Sequence, residues 1–186
     1  MNNKNTINHF SLIFRLFGNL FYRTPTDPVL EGVFNWLQDE KLSQIWPLEI
    51  DEESQSALEN LQMKIDLSVL DREYCKLFLE SGKLSLKLSD YGVDLKAFAD
   101  FRELRNAPKT DNFDHFALLL LTASWLEDNI NSIEAQQQLF EHFLLPCAAK
   151  FLIQVENHSV LPFYRSLACL TREILVAMAD ELDRNE

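Results

Sequence analysis

The residues best placed for chemistry are Asp111, Asp114 and His115. They stand in "TDNFDHFALLLLTASWLEDN" (110–129), directly before an apolar run from Phe116 to Leu126. An acid and an imidazole four apart on a helix, as Asp111 and His115 would be, can share a metal ion or act as an acid/base pair. The companions such chemistry needs are missing. A di-iron bundle takes two Glu-x-x-His motifs and the chain has none, nor has it a Gly-rich phosphate loop or a nucleophile elbow. Cys75, Cys147 and Cys169 are odd in number and form no C-x-x-C pair, which argues against a disulfide framework or a zinc site and fits a reducing cytoplasm. The expectation is therefore a non-enzymatic protein with no cofactor and no metal. What remains is binding chemistry: a carboxylate to meet a cation, beside apolar surface to meet a hydrophobic segment.

Helices must hold these side chains. With 4 Gly, 6 Pro and no alternating β-branched run, the 186 residues read as all-α, and 47% hydrophobic content suffices to bury one core. A single all-helical domain over residues 1–186 is expected, a compact bundle. The Phe116–Leu126 run is too short for a bilayer span of about 20 residues. It reads as a buried central helix from about Asp111, with Asp111 as N-cap and Asp114 in the first turn, where the helix dipole favours a negative charge by about 0.3–1 kcal/mol.

The elements around it carry local punctuation. "INHFSLIFRLFGNLFYR" is interrupted by Arg15 and lacks a small-residue cleavage site. Ile7, Phe10, Phe14, Phe17 and Phe21 recur at helical spacing, so it reads as a core-packing helix and not an export signal. Asp27 with Pro28 signals a helix start, Leu30, Val33, Phe34 and Leu37 give it an apolar face, and Pro47 breaks the following segment. An acidic helix follows from about Asp51. Ser68 and Asp71 resemble a capping pair for a helix with Leu70, Tyr74, Leu77 and Phe78 on one side, and Gly82 is its stop. "GKLSLKLSDYG" alternates like a strand but has no partner segment, and is expected to be an exposed connector. "DLKAFADFRELRNAP" ends near Pro108, Asn131 and Glu134 have capping-box spacing, and Pro146 should kink its helix near Leu145. A last helix from about Pro162 carries Leu167, Leu170, Ile174 and Met178 on one face. The 17 basic and 29 acidic residues give a net charge of −12, which repels phosphate backbones and favours a basic partner over nucleic acid.

"DREYCKLF", "NFDHFALLLLTASWLED" and "HFLLPCAAKFLIQVENHSVLPFYRSLACLTREIL" occur in an order that resembles the TorD/DmsD family of molybdoenzyme maturation chaperones, over roughly residues 68–175. The most specific part is the Asp-His pair before an apolar helix, joined to the "LLP…PFYRSLA" stretch. The resemblance implies an all-helical cytoplasmic chaperone that binds the twin-arginine signal peptide and the apo-form of a molybdopterin-dependent oxidoreductase, delaying export until cofactor insertion. It places Asp114 and His115 at the peptide site and matches Leu77 and Phe78 to the family's "LF" pair, although spacing alone favours ordinary core for those two. Many members follow that pair with a Pro-Pro-aromatic segment. Here "LESGKLSLKLSDYG" is shorter and has no proline, so only Tyr91 stands in for the aromatic, and Asn112 occupies a position where an acid is common.

An exposed Asp–Arg pair contributes about 0.2–1 kcal/mol and a fully buried Leu or Phe about 1.5–3. The acids would thus select the peptide while apolar burial supplies most of its affinity. The other reading of the same acidic, amphipathic chain is a generic helical adaptor or regulatory subunit with no preference for arginine pairs. Some members of the family exchange helices between subunits. A monomer and a domain-swapped dimer, hinged around residues 81–92 or 106–111, both fit the sequence.

Overall fold

The computed structural model describes residues 8–79 and 82–184, and within them the chain is all-α with no strand. The helices are α1 (His9–Tyr22), α2 (Glu31–Gln38), α3 (Lys41–Ile45), α4 (Glu52–Gln62), α5 (Leu67–Phe78), α6 (Leu95–Leu104), α7 (Ala117–Asn129), α8 (Ile133–Leu139), α9 (Leu145–His158) and α10 (Pro162–Asp183). Short 3-10 turns cover Pro28–Leu30 and Leu88–Tyr91, and a π-turn covers Phe140–Leu144.

α7 organises the fold. Ala117–Leu120, Thr122–Ser124 and Leu126 are all buried, so the helix is covered on almost every side, as an element apolar all round must be. Its main cover is α1, which packs against it along its length and buries Phe14, Phe17 and Phe21 completely. Phe10 is half-buried at the edge of the same face, and Ile7 lies outside the described residues. On the other side, α10 packs on α4 and α9 and buries Leu167, Leu170, Ile174 and Met178.

Many local signals work as read. Asp27 caps the turn that leads into α2 by accepting from the Val29 N–H at 2.9 Å, and Asp51 caps α4 through the Ser54 N–H at 2.8 Å. Pro146 has no N–H to give the preceding turn, and the chain widens into the π-turn just before it.

Three expectations are corrected. α5 is capped by Asp66, which accepts from the Ser68 N–H at 2.8 Å, while Asp71 instead receives the Thr26 hydroxyl at 2.7 Å. α8 is capped by Ser132, whose hydroxyl accepts from the Ala135 N–H at 3.1 Å, and not by Asn131. The connector after Gly82 is not exposed. Leu84, Leu86 and Leu88 are buried, and the segment lies over the core as a strap tied by two backbone hydrogen bonds, Leu84 N–H to Leu77 O at 2.9 Å and Phe116 N–H to Leu86 O at 2.7 Å. Its alternation is real, but a helix end and a loop satisfy it where a sheet would elsewhere. Gly82 lets the strap double back over α5, since a Cβ there would meet the Leu77 carbonyl oxygen at 2.7 Å.

The contact of α1 with α7 depends on Gly18, where an added Cβ would stand 2.9 Å from Leu121 Cγ. Gly18→Val should lower unfolding stability in urea by about 1–3 kcal/mol through overpacking. For Gly18→Ala the overlap is opposed by about 1 kcal/mol of helix propensity, so it should lie much nearer the wild type.

Candidate functional site

The loop entering α7 is arranged differently from the simple cap that spacing suggests. Asp111 is exposed and caps nothing, and the helix begins at Ala117, six residues later. His115 does the capping: its Nδ1 accepts from the Ala117 N–H at 3.1 Å and its carbonyl accepts from the Leu118 N–H at 3.0 Å. Asp114 therefore precedes the helix instead of lying in its first turn. Its carboxylate accepts from the Ser89 N–H at 2.9 Å and the Ser89 hydroxyl at 2.6 Å, closing the start of the Leu88–Tyr91 turn. The strap thus takes the polar groups of Asp114 and Phe116, and the imidazole is left to satisfy the helix.

His115 is buried, with Tyr22 of α1 packed edge-on at 4.9 Å between ring centroids. Burial pushes its pKa down to about 4, against the opposing pull of the Asp114 charge. The neutral ring is also the one that can accept the Ala117 N–H, because an imidazolium has no free lone pair.

Beneath this loop lies an aromatic hub. Phe151 of α9 has Phe116 at 4.2 Å, Phe21 at 5.5 Å, Tyr91 at 5.8 Å and Phe78 at 6.1 Å between centroids. Tyr91 also donates its hydroxyl to the Ser85 carbonyl at 2.7 Å, holding the strap from within. Leu77 is buried, but it lines a cavity of about 390 Å³ together with Val160 and Leu161, whose other lining side chains include Arg72, Glu73, Lys76 and Lys83. The five residues singled out from sequence therefore fall along one strap: Leu77 at one end, Asp114 and His115 at the other, Phe78 and Tyr91 on the hub below. Leu77, Phe78 and Tyr91 are part of the core in this conformation, and Asp114 is the partly exposed member.

Sequence reasoning missed Phe151, Ser89 and Tyr22. Phe151 had a visible signal in its helical spacing from Cys147 and Val155. Ser89 had none, as its partner Asp114 is 25 positions away. Between α1, α7 and the segment after α6 runs a groove of about 510 Å³ whose charged side chains are mostly basic: Arg15 and Arg23, which pair with Asp128 and Asp27, and Arg102 and Lys109. Among the described residues no three His, Cys, Asp or Glu side chains stand close enough to share a metal ion, and no helix is long and apolar enough to cross a membrane.

Known proteins resemble the chain over nearly its whole length. A Haemophilus influenzae protein named only as uncharacterized is 64% identical over 177 residues, 95% of this chain and 96% of its own. Chaperone protein YcdY of Escherichia coli is 37% identical over 185 residues, 96% of this chain and 98% of its own. The Tat proofreading chaperone DmsD of Salmonella typhimurium is 28% identical over 195 residues, 93% and 90% of the two chains. No family model matches the chain.

The cap by His115 makes stability depend on pH. Its pKa falls from 6.5 in the unfolded chain to about 4 in the fold, so its contribution is complete above pH 6.5 and is lost as pH falls through this window, at up to about 1.4 kcal/mol per pH unit. His115→Asn keeps an acceptor for the helix and removes the titration. Urea unfolding at a series of pH values should show a shallower slope for the variant than for the wild type between pH 6.5 and 4.

Proposed function

We propose that this chain, which belongs to the TorD/DmsD family of redox enzyme maturation chaperones, binds the twin-arginine signal peptide of a molybdopterin-dependent oxidoreductase in the cytoplasm and holds the apo-enzyme back from export until its cofactor is in place. The observation that carries this reading is the meeting of a partly exposed carboxylate and an apolar cluster on one strap. Asp114 keeps lone pairs beyond the two donated hydrogen bonds of Ser89, and lies two residues before Phe116, whose ring packs on Phe151. The names of the DmsD relatives, Tat proofreading chaperones, support the same ligand class.

In this reading the reaction is reversible binding with no covalent step. Asp114 takes a guanidinium of the peptide, and His115, neutral and pinned to α7, fixes where that carboxylate stands. The hydrophobic part of the signal packs at the cavity beside Leu77, with Phe78 and Tyr91 as the apolar floor beneath the strap. Maturation of the client ends the contact by removing the exposed segment that the chaperone holds.

Calorimetric titration with the twin-arginine signals of molybdoenzymes from the same organism, alongside scrambled peptides of equal charge, tests this directly. One signal should saturate while its scrambled form stays inert, and no binding to any signal by the folded protein would overturn the reading. Asp114→Asn, which preserves an acceptor for Ser89, should weaken that signal about two- to five-fold, as befits an exposed charge pair. Replacing one apolar residue of the signal should weaken it more, by about ten-fold or greater. The reverse ranking would show that charge and not apolar burial supplies the affinity.

A further inference from the structure

Arg102, in the last turn of α6, is only 7% exposed. An arginine is rarely buried to that depth without an acid beside it, because it cannot shed its charge by losing a proton. Here the guanidinium donates to the Thr122 hydroxyl of α7 and to the Pro108 carbonyl, and its carbon stands 5.9 Å from the centre of the Phe98 ring. All three partners are neutral. The C-terminal end of α6 adds the partial charge of its dipole, but among the described residues no carboxylate pairs with Arg102. Asp128, the acid lining the groove between α1 and α7, is engaged by Arg15.

Arg102 lines two hollows, that groove of about 510 Å³ and another of about 560 Å³ beside the end of α6. Both have Arg102, Pro108, Lys109 and Thr110 in their walls, so they form one track past the segment that follows α6. Lys109 is exposed on this track and, among the described residues, has no ion pair. Half-buried apolar side chains flank it on each part, Leu121 and Trp125 in the first hollow and Ala99 and Phe113 in the second.

We propose that this track binds an acidic segment of a partner polypeptide, which seats one aspartate or glutamate carboxylate on the Arg102 guanidinium with Lys109 beside it. Two of the five N–H donors of Arg102 are taken, and a carboxylate can accept from others in the planar, paired geometry that a guanidinium favours. Partial exclusion of water makes such a pair stronger than an exposed one. The extent of the track over two hollows, each with apolar walls, suits an extended chain better than a small free acid. A phosphate is the poorer occupant, because its second charge would face Asp128 and Glu103, which line the same track. The ligand charge is opposite to that expected at Asp114, and the inference does not rest on the signal-peptide reading.

The test titrates the full chain, at constant ionic strength, with a blocked peptide of alternating leucine and glutamate, and separately with its glutamine counterpart, acetate and inorganic phosphate. Two-dimensional NMR follows the Nε–H of Arg102 and the indole N–H of Trp125. The glutamate peptide should shift both to saturation and the glutamine peptide neither, while the two small anions should need concentrations at least about ten-fold higher. Arg102→Met, which keeps an apolar stem against Phe98, should weaken the glutamate peptide about ten-fold or more, and Lys109→Gln about two- to five-fold. Should Arg102→Met fail to fold, Lys109→Gln alone decides. No binding of the glutamate peptide, equal affinity for the glutamine peptide or for either small anion, or unchanged affinity in the folded variants would each overturn the assignment.

Discussion

Everything in this molecule answers to a helix that cannot show any side to water. From Ala117 to Leu126 α7 is apolar around almost its whole circumference, and other helices cover most of it. α1 does so by lying close along it, at a distance Gly18 makes reachable, α8 and the π-turn add to the cover, and α9 brings Phe151 under Phe116 at the entrance to the helix. Apart from the strip of Leu121, Trp125 and Asp128 that lines the groove, the sides of α7 are committed, and its two ends are left to meet other molecules. One end is bound into the strap through His115 and Asp114, and the other opens on a cavity beside Glu127.

Charge is arranged on a finer scale than the net −12 suggests. The charged side chains of the groove between α1 and α7 are mostly basic, while those of the cavity at the C-terminal end of α7 are acidic. The overall charge predicts the sign of a partner but not where it touches, because screening confines each charge to about 10 Å around it.

What the sequence made legible follows from how far each signal reaches. Asp27 with Pro28, Asp51 and Pro146 act on residues within one turn of themselves, and each marks its boundary as read. Asp111, Ser68 and Asn131 looked equally good as caps, yet a neighbour served each helix instead: His115, Asp66 and Ser132. At α7 the reason is tertiary, since Asp114 and Phe116 were claimed by Ser89 and Leu86 from a strap that lies far away in sequence. The same distance hides much of the candidate site. Asp114 and His115 could be picked by type and position, but nothing along the chain indicates that Phe151 gathers Phe21, Phe78, Tyr91 and Phe116 into one hub.

The π-turn at Phe140–Leu144 bears on how such a chain can vary. A π-turn is an α-helix holding one residue too many, and each residue of a helix turns its neighbours by about 100°. The wide turn takes up that extra residue and keeps α8 and α9 in phase, so deleting one position here would return the stretch to regular winding with Phe151 still facing Phe116. Substitution within the turn leaves the hub aimed where it is, whereas a further residue, with no second wide turn to absorb it, would rotate Phe151 by about 100° away from Phe116.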